Sequence, residues 1–202
     1  VVLNAHGTDI LGKGKLYEVM RKWNQPIFKK ADLVVVPSVF FIGKLTQLGV
    51  NPDRLEVYPS GGINPAIFFP AEEKVSPKFR LGYLGRIDSG KGVGTLIRAF
   101  AKLPLTNIFL EICGPGAQKE EMERLAQNLG VNPRVSFLGN MPQNKIRDFF
   151  LRCDALIFPS ELEESLGLVG LEAMACGLPV IGSGSGGMSS YLISGQNGIV
   201  FE

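Results

Sequence analysis

The sequence predicts an α/β protein, with Rossmann-like parallel sheets and helices flanking them. Two observations carry that expectation. Short β-branched or apolar runs alternate with helix-patterned stretches almost throughout, and nearly every run stops at Gly, Ser or Pro. Strand, helix, strand in that order reads as right-handed βαβ units in a parallel sheet.

The elements follow in order. "VVLNAHG" reads as a strand and leads to a helix from about Lys15 to Lys30. "DLVVVPS" is the next strand, a helix runs from about Val39 to Leu48, and "LEVYPSGG" is a further strand. After the interruption described below come the strand "FRLGYLGR", a helix near Val93 to Lys102, and the strand "IFLEICGPG". A helix near Gln118 to Leu129, the strand "RVSFLGN" and a helix near Gln143 to Arg152 continue the alternation. "ALIFPS", a short helix from about Gly167 to Ala175, and "LPVIGSG" complete it. Gly177 and Pro179 terminate that short helix.

The alternation breaks at Pro65 to Lys78, which holds three prolines, two glutamates and no periodicity. It reads as a linker, dividing the chain into a partial Rossmann-like domain at 1–64, the linker at 65–78 and a second Rossmann-like domain at 79–202. The 202 residues suffice for one substantial core or two small ones. Composition is globular, at 45% hydrophobic and 20% charged, and a net charge of +2 gives no reason to expect nucleic acid as a partner. Cys113, Cys153 and Cys176 are far apart in apolar contexts, which suits reduced, buried thiols in a cytoplasmic protein. No apolar stretch approaches the roughly 18 to 20 residues needed to cross a bilayer. The opening at Val1 and the stop after "NGIVFE" are expected to be cut ends of a longer protein.

In parallel sheets of this kind, ligands bind beyond the carboxyl ends of the strands. Two stretches carry chemistry there. In "LGYLGRIDSGKGVGTLIRAF" a strand runs into a glycine turn bearing Arg86 and Lys91, and a helix follows. Close backbone approach, free N–H groups at a helix start and two cations suit phosphate, although surface charges on a basic loop would look the same. The stretch matches neither the P-loop nor the dinucleotide fingerprint.

The second stretch is "EESLGLVGLEAMACGLPV", with Glu164 before and Glu172 inside an apolar run, seven residues between them. Helical spacing sets them about 80° apart around an axis, so both can border one cleft if the loop turns back. Glu164 is tolerably explained as a carboxylate near a helix N-terminus. Glu172 is not, because its helix is apolar nearly all round, and a buried charge needs donors. A pair of sugar hydroxyls would serve.

These residues carry a resemblance. "PSELEESLGLVGLEAMACGLPVI" resembles the signature of family 4 glycosyltransferases, retaining enzymes of the GT-B fold, marked by two glutamates seven residues apart. "GRIDSGKG" is similar to their diphosphate loop, and "FLEICGPG", "RVSFLGNMP" and "CDALIFPS" to the intervening strands in the expected order. "LNAHGTD" and "ADLVVVPSVFFIGKLTQLGV" resemble the rear half of the family's N-terminal domain, and "VYPSGGIN" the element before its linker, with Ser60 and Gly61 in place of asparagine.

The resemblance implies a nucleotide-sugar donor (UDP-, GDP- or ADP-sugar), no other cofactor and no metal. Glu172 would accept hydrogen bonds from ribose hydroxyls. Glu164, with the backbone of Ser165, Leu166, Gly167 and Leu168, would hold the donor sugar and phosphate. Arg86 and Lys91 would neutralise the diphosphate, with Gly85 and Gly114 beside the ligand. Met141 would sit by the nucleobase, and His6 would contact the donor sugar. Where many relatives read Glu-Gly-Phe-Gly, this chain has Glu164-Ser165-Leu166-Gly167. The acceptor would be a glycan, a lipid-linked molecule or a small hydroxyl compound, as in polysaccharide biosynthesis.

Between Lys13 and Lys30, six basic residues oppose one acidic, interleaved with Leu16, Tyr17, Met20, Trp23 and Phe28. Such a helix can lie on an anionic membrane surface, which would place the protein peripherally at the inner face; a solvated helix face is the commoner explanation. The glycine-rich "GSGSGGMSS", residues 182–190, either approaches the ligand or is simply a turn. Two rival readings stand beside the transferase. A glycoside hydrolase would use the two glutamates but leave the phosphate-suited loop without a task. A nucleotide-sugar-binding module would bind the donor and transfer nothing.

Overall fold

The computed structural model describes residues 1–12, 14–59, 62–71 and 78–201. Residues 72–77 of the expected linker, as well as Lys13, Ser60, Gly61 and Glu202, lie outside the described residues. The elements are β1 (Val2–Asn4), α1 (Gly7–Leu11), α2 (Lys15–Lys30), β2 (Leu33–Val36), α3 (Val39–Gln47) and β3 (Leu55–Val57). They continue as β4 (Phe79–Leu84), α4 (Val93–Ala101), β5 (Ile108–Cys113), α5 (Lys119–Asn128), β6 (Val135–Gly139) and α6 (Gln143–Arg152). β7 (Ala155–Phe158), α7 (Leu168–Ala175), β8 (Val180–Gly182) and β9 (Gly198–Val200) complete the chain. Sequence patterning anticipates all of these except the one-turn α1 and the closing β9, both too short to show a period.

The α/β expectation holds: every strand pair is parallel. The strands form a three-stranded sheet, β1-β2-β3, and a six-stranded sheet, β6-β5-β4-β7-β8-β9. The chain divides into two compact units. One comprises Val1–Gly62 with Glu163–Gly167 and Gly184–Tyr191; the other comprises Ile63–Leu162, Leu168–Ser183 and Leu192–Glu202.

In the first unit, Val34 and Val36 of β2 point into a core with Phe28, Phe41, Leu45 and Leu55. The central strand of a three-stranded parallel sheet is covered on its faces, so "LVVV" reads as a nearly continuous apolar run.

In the second unit, pleating sorts the central strands onto two faces. Tyr83, Leu110 and Ile112 pack with Val93, Ile97 and Phe100 of α4 and Met122 and Ala126 of α5. Alternate residues meet α6 on the opposite face. A Cβ on Gly82 would lie 2.7 Å from Cys153 Sγ and 3.0 Å from Phe149. Beside it, Arg152 donates to Glu111 at 2.7 Å, and Arg80 pairs with the same carboxylate at 3.4 Å. This face therefore carries an ion cluster where the other carries aliphatic packing. The three cysteines are buried thiols.

The winding of this sheet decides where a site can form. The chain steps from β4 outward through β5 and β6, then returns to the other side of β4 to lay down β7, β8 and β9. The loops after β4 and β7 thus leave the carboxyl edge at neighbouring strands, and the crossovers that follow run to opposite sides of the strand order, the point at which ligands bind in sheets of this kind. Gly82→Val is expected to destabilise the protein by about 1–3 kcal/mol through overpacking against Phe149 and Cys153. Chemical denaturation at equilibrium checks this, and an unchanged midpoint would mean α6 does not pack as described.

Candidate functional site

The β4–α4 turn is built around close backbone contacts. Gly92, at the N-cap of α4, has φ +73°, and a Cβ there would lie 1.8 Å from the Pro159 carbonyl oxygen. Both the left-handed conformation and that approach require glycine. The two turns are also bonded directly. The Glu161 N–H donates to Gly90 O at 2.9 Å, and Thr95 Oγ1 donates to Glu161 Oε1 at 2.7 Å. The "GRIDSGKG" turn and the connection after "ALIFPS" therefore meet at Gly90 and Glu161.

Arg86 is exposed and held by Asp88, with Nε 2.6 Å from Oδ2. Asp88 Oδ1 in turn accepts from the Ala117 N–H at 2.9 Å. That backbone bond, and then the Arg86 charge, hold the Asp88 carboxyl below its usual range. Tyr83 Oη donates to Arg86 O at 2.6 Å. Asp88 and Tyr83 are positioning groups that spacing alone did not reveal. Lys91 is half-buried in the same turn, its backbone N–H donating to Asp88 O at 3.1 Å.

The turn after β5 braces this one. Gly85 N–H donates to Cys113 O at 3.0 Å, Ile87 N–H to Pro115 O at 2.7 Å, and Gly114 N–H to Gly139 O at 2.8 Å. Gly114 is buried, and a Cβ on it would lie 1.9 Å from Gly85 O. Its glycine identity is thus accounted for by packing, and the backbone N–H groups of Gly85 and Gly114 are already engaged. Met141 follows edge strand β6 and is half-buried.

Glu172 lies inside α7, half-buried. Burial raises its pKa, and among the described residues no hydrogen bond or ion pair meets its carboxylate. The carboxylate is desolvated without compensation from the chain itself.

The remaining residues, Leu168 apart, belong to the first unit. Glu164 is not on the helix, so the 80° relation does not apply; it forms a parallel bridge with Gly186. The carbonyls of its loop are tied back in turn. Glu164 O accepts from Gly187 N–H at 2.7 Å, Ser165 O from Ser38 Oγ at 2.8 Å, and Gly167 O from Tyr191 Oη at 2.8 Å. Among the described residues, the N–H groups of Ser165, Leu166, Gly167 and Leu168 make no hydrogen bond. Leu166 is buried, so this loop offers backbone there and not its side chain. Glu163 pairs with Lys44 at 2.7 Å. The segment 184–191, left open by the sequence, packs against this loop: a Cβ on Gly187 would lie 2.2 Å from Ser165 O. His6 follows β1 and is exposed.

Among the described residues, no three His, Cys, Asp or Glu side chains gather into a set able to hold a metal ion. Among them, too, no helix is long and apolar enough to cross a membrane.

The fold is that of a doubly wound, parallel α/β protein of GT-B type. The chain belongs to the glycosyl transferases group 1 family, whose profile matches residues 66–202. It is 35% identical over 216 residues to an uncharacterized glycosyltransferase of Methanocaldococcus jannaschii, covering 98% of this chain and 55% of that one. It is 29% identical over 205 residues to D-inositol 3-phosphate glycosyltransferase of Corynebacterium efficiens, covering 92% of this chain and 48% of the relative. The chain thus spans about half the length of the curated relatives it matches. Sucrose-phosphate synthase from Thermosynechococcus elongatus superposes with a TM-score of 0.83 at 26% identity, over 98% of this chain and 54% of that one. Anabaena HepE in complex with UDP-glucose superposes with a TM-score of 0.83 at 24% identity, over 99% and 57%.

The Glu172 environment has a sign. Folded Glu172 holds its proton more tightly than the unfolded chain does, so stability falls as pH rises from the ordinary value of 4.5 through the raised folded value. Glu172→Gln is therefore expected to raise the melting temperature at neutral pH and to lose that advantage below pH 4.5. Melting curves across pH check it; equal shifts at every pH would remove the desolvation argument.

Proposed function

We propose that this chain supplies the donor-binding part of a retaining, metal-independent glycosyltransferase that moves a sugar from a nucleoside-diphosphate sugar to a hydroxyl acceptor. The observation that carries the reading is the loop at 163–168, whose carbonyls are bonded from behind while its N–H groups stay open at the start of α7. Such an array suits phosphate and sugar oxygens. The support from relatives is consistent with this: a solved structural neighbour holds UDP-glucose.

Arg86 and Lys91 neutralise the diphosphate, and Glu172 accepts from the ribose hydroxyls, which relieves its desolvation. Glu164 and the 165–168 backbone hold the sugar and its phosphate, His6 contacts the sugar, and Met141 lies by the base. Gly85 and Gly114 shape the floor beneath the diphosphate. In the transfer, the bond from the anomeric carbon to the diphosphate oxygen breaks and a bond to the acceptor oxygen forms on the same face. The acceptor's proton passes to the departing phosphate oxygen. Negative charge grows on the diphosphate through an oxocarbenium-like transition state, where the preset cations and N–H groups stabilise it.

Calorimetry with UDP, GDP and ADP and their glucose conjugates tests the reading, with one base expected to bind. Each charged hydrogen bond is worth about 1.5–3 kcal/mol. The double change Arg86→Ala, Lys91→Ala should therefore weaken diphosphate binding at least about tenfold. Undiminished affinity would falsify the assignment of the turn. Binding without transfer to any hydroxyl acceptor favours the binding-module reading.

A peripheral membrane contact through α2 is proposed on a separate observation. Leu16, Val19, Met20, Trp23 and Ile27 are exposed on one helical stripe, Trp23 at 78%, while Phe28 is buried on another side. Lys15, Lys22, Lys29 and Lys30 are exposed on the same helix. An apolar stripe beside lysines suits an anionic lipid surface. Sedimentation with vesicles of phosphatidylglycerol and phosphatidylcholine should carry the protein down at low salt, and Trp23→Ser with Leu16→Ser should abolish this. Absence of sedimentation sinks the membrane proposal.

A further inference from the structure

We infer that Tyr191 is a positioning residue for the 163–168 loop, holding it from behind so that its N–H groups face the donor's sugar and phosphate. Nothing in the sequence marks Tyr191, which sits just beyond a glycine-serine stretch. Its hydroxyl donates to Gly167 O at 2.8 Å, directly before the first residue of α7. It is half-buried, and the chain leading to it is stitched to the loop at one further place. Gly187 N–H donates to Glu164 O at 2.7 Å, while Ser189 Oγ closes its own short turn by donating to Gly186 O at 2.7 Å. Neither glycine can be replaced: a Cβ on Gly186 would lie 2.4 Å from Glu164 O, and one on Gly187 would lie 2.2 Å from Ser165 O.

The chemistry of the contact explains why a phenol suits this place. A peptide carbonyl needs a donor, and tyrosine supplies one on a rigid ring with few rotatable bonds. Burial, and then the nearby Glu164 charge, push the Tyr191 ionisation well up, so the hydroxyl stays a neutral donor at every physiological pH. With Gly167 O engaged, the peptide plane between Gly167 and Leu168 is fixed in rotation, and the Leu168 N–H on its other edge points away from Tyr191. Gly167 itself has φ +79°, a left-handed conformation that glycine adopts without strain. Tyr191 touches neither sugar nor phosphate and acts through the loop.

This inference rests on the reading of the loop as the seat of the donor's sugar and phosphate, and the test separates the two. Tyr191→Phe removes one oxygen and keeps the ring in place. Hydrogen exchange, followed by mass spectrometry on the protein without ligand, is expected to speed up at Gly187, whose N–H is bonded to Glu164 O, and to stay unchanged in α4 and β5. Calorimetry with UDP, GDP and ADP and their glucose conjugates is then expected to show the nucleotide-sugar weakened about fivefold or more, the loss of one neutral hydrogen bond's worth of order, with the bare diphosphate altered much less. Unchanged exchange at Gly187 overturns the positioning role. Faster exchange at Gly187 with an unchanged affinity for nucleotide-sugar sustains the hold by Tyr191 and overturns the donor-seat reading. Equal losses for diphosphate and nucleotide-sugar overturn the inference too, because a general loosening would produce them. A Tyr191→Leu protein, which loses ring and hydroxyl together, should add nothing beyond Tyr191→Phe to the exchange at Gly187 if the hydroxyl is the operative group.

Discussion

The organisation of the second unit depends on one close approach: the backbone of the turn after β4 against the backbone after β7. Gly92 presses on the Pro159 carbonyl, and Glu161 N–H bonds to Gly90 O. No side chain at position 92 is compatible with that contact. Because β4 and β7 are neighbours whose connections diverge, this is where a parallel sheet opens at its carboxyl edge. Two segments some seventy residues apart in sequence, around Gly90 and Glu161, are thereby fixed against each other by glycine and main-chain hydrogen bonds.

Charge is distributed to match. The cationic turn carries Arg86 and Lys91, but Arg86 does not swing freely: Asp88 engages it, and Ala117 N–H engages Asp88. A neighbouring carboxylate reduces the net positive field while fixing its direction. The Arg86 side chain is 74% exposed, so its pairing with Asp88 is screened by solvent. Glu172 is the converse case, a half-buried acid whose ionised form the protein itself does not stabilise.

The same division appears in the loop at 163–167. Its carbonyls are satisfied by Gly187, Ser38 and Tyr191, three groups with no common motif. Three carbonyls of this segment are engaged, while the N–H groups of Ser165, Leu166 and Gly167 make no hydrogen bond among the described residues. The first N–H groups of a helix likewise have no intrahelical partner. Backbone is well suited to this task, since it presents donors without the entropy of a long side chain.

Much of the fold was legible in the sequence because parallel α/β units are locally encoded. Apolar runs such as "LVVV" and "ALIF", helix periodicity in 93–102 and 143–152, and glycines at strand ends are short-range signals, and the structure follows them closely. The residue types of the candidate site, Arg86, Lys91, Glu164 and Glu172, were legible for the same reason: charge is conspicuous in an apolar or glycine-rich context. Partnership was not legible. That Ala117 would anchor Asp88, that Gly114 would serve packing against Gly85, and that residues 184–191 would brace the 163–167 loop each depend on segments well apart in sequence. The sequence determined which groups the protein possesses and the order of its elements, since both are properties of local patterning. Only the tertiary structure decided which carbonyls are tied back and which N–H groups stay open, because hydrogen-bond satisfaction is settled by what folding brings alongside.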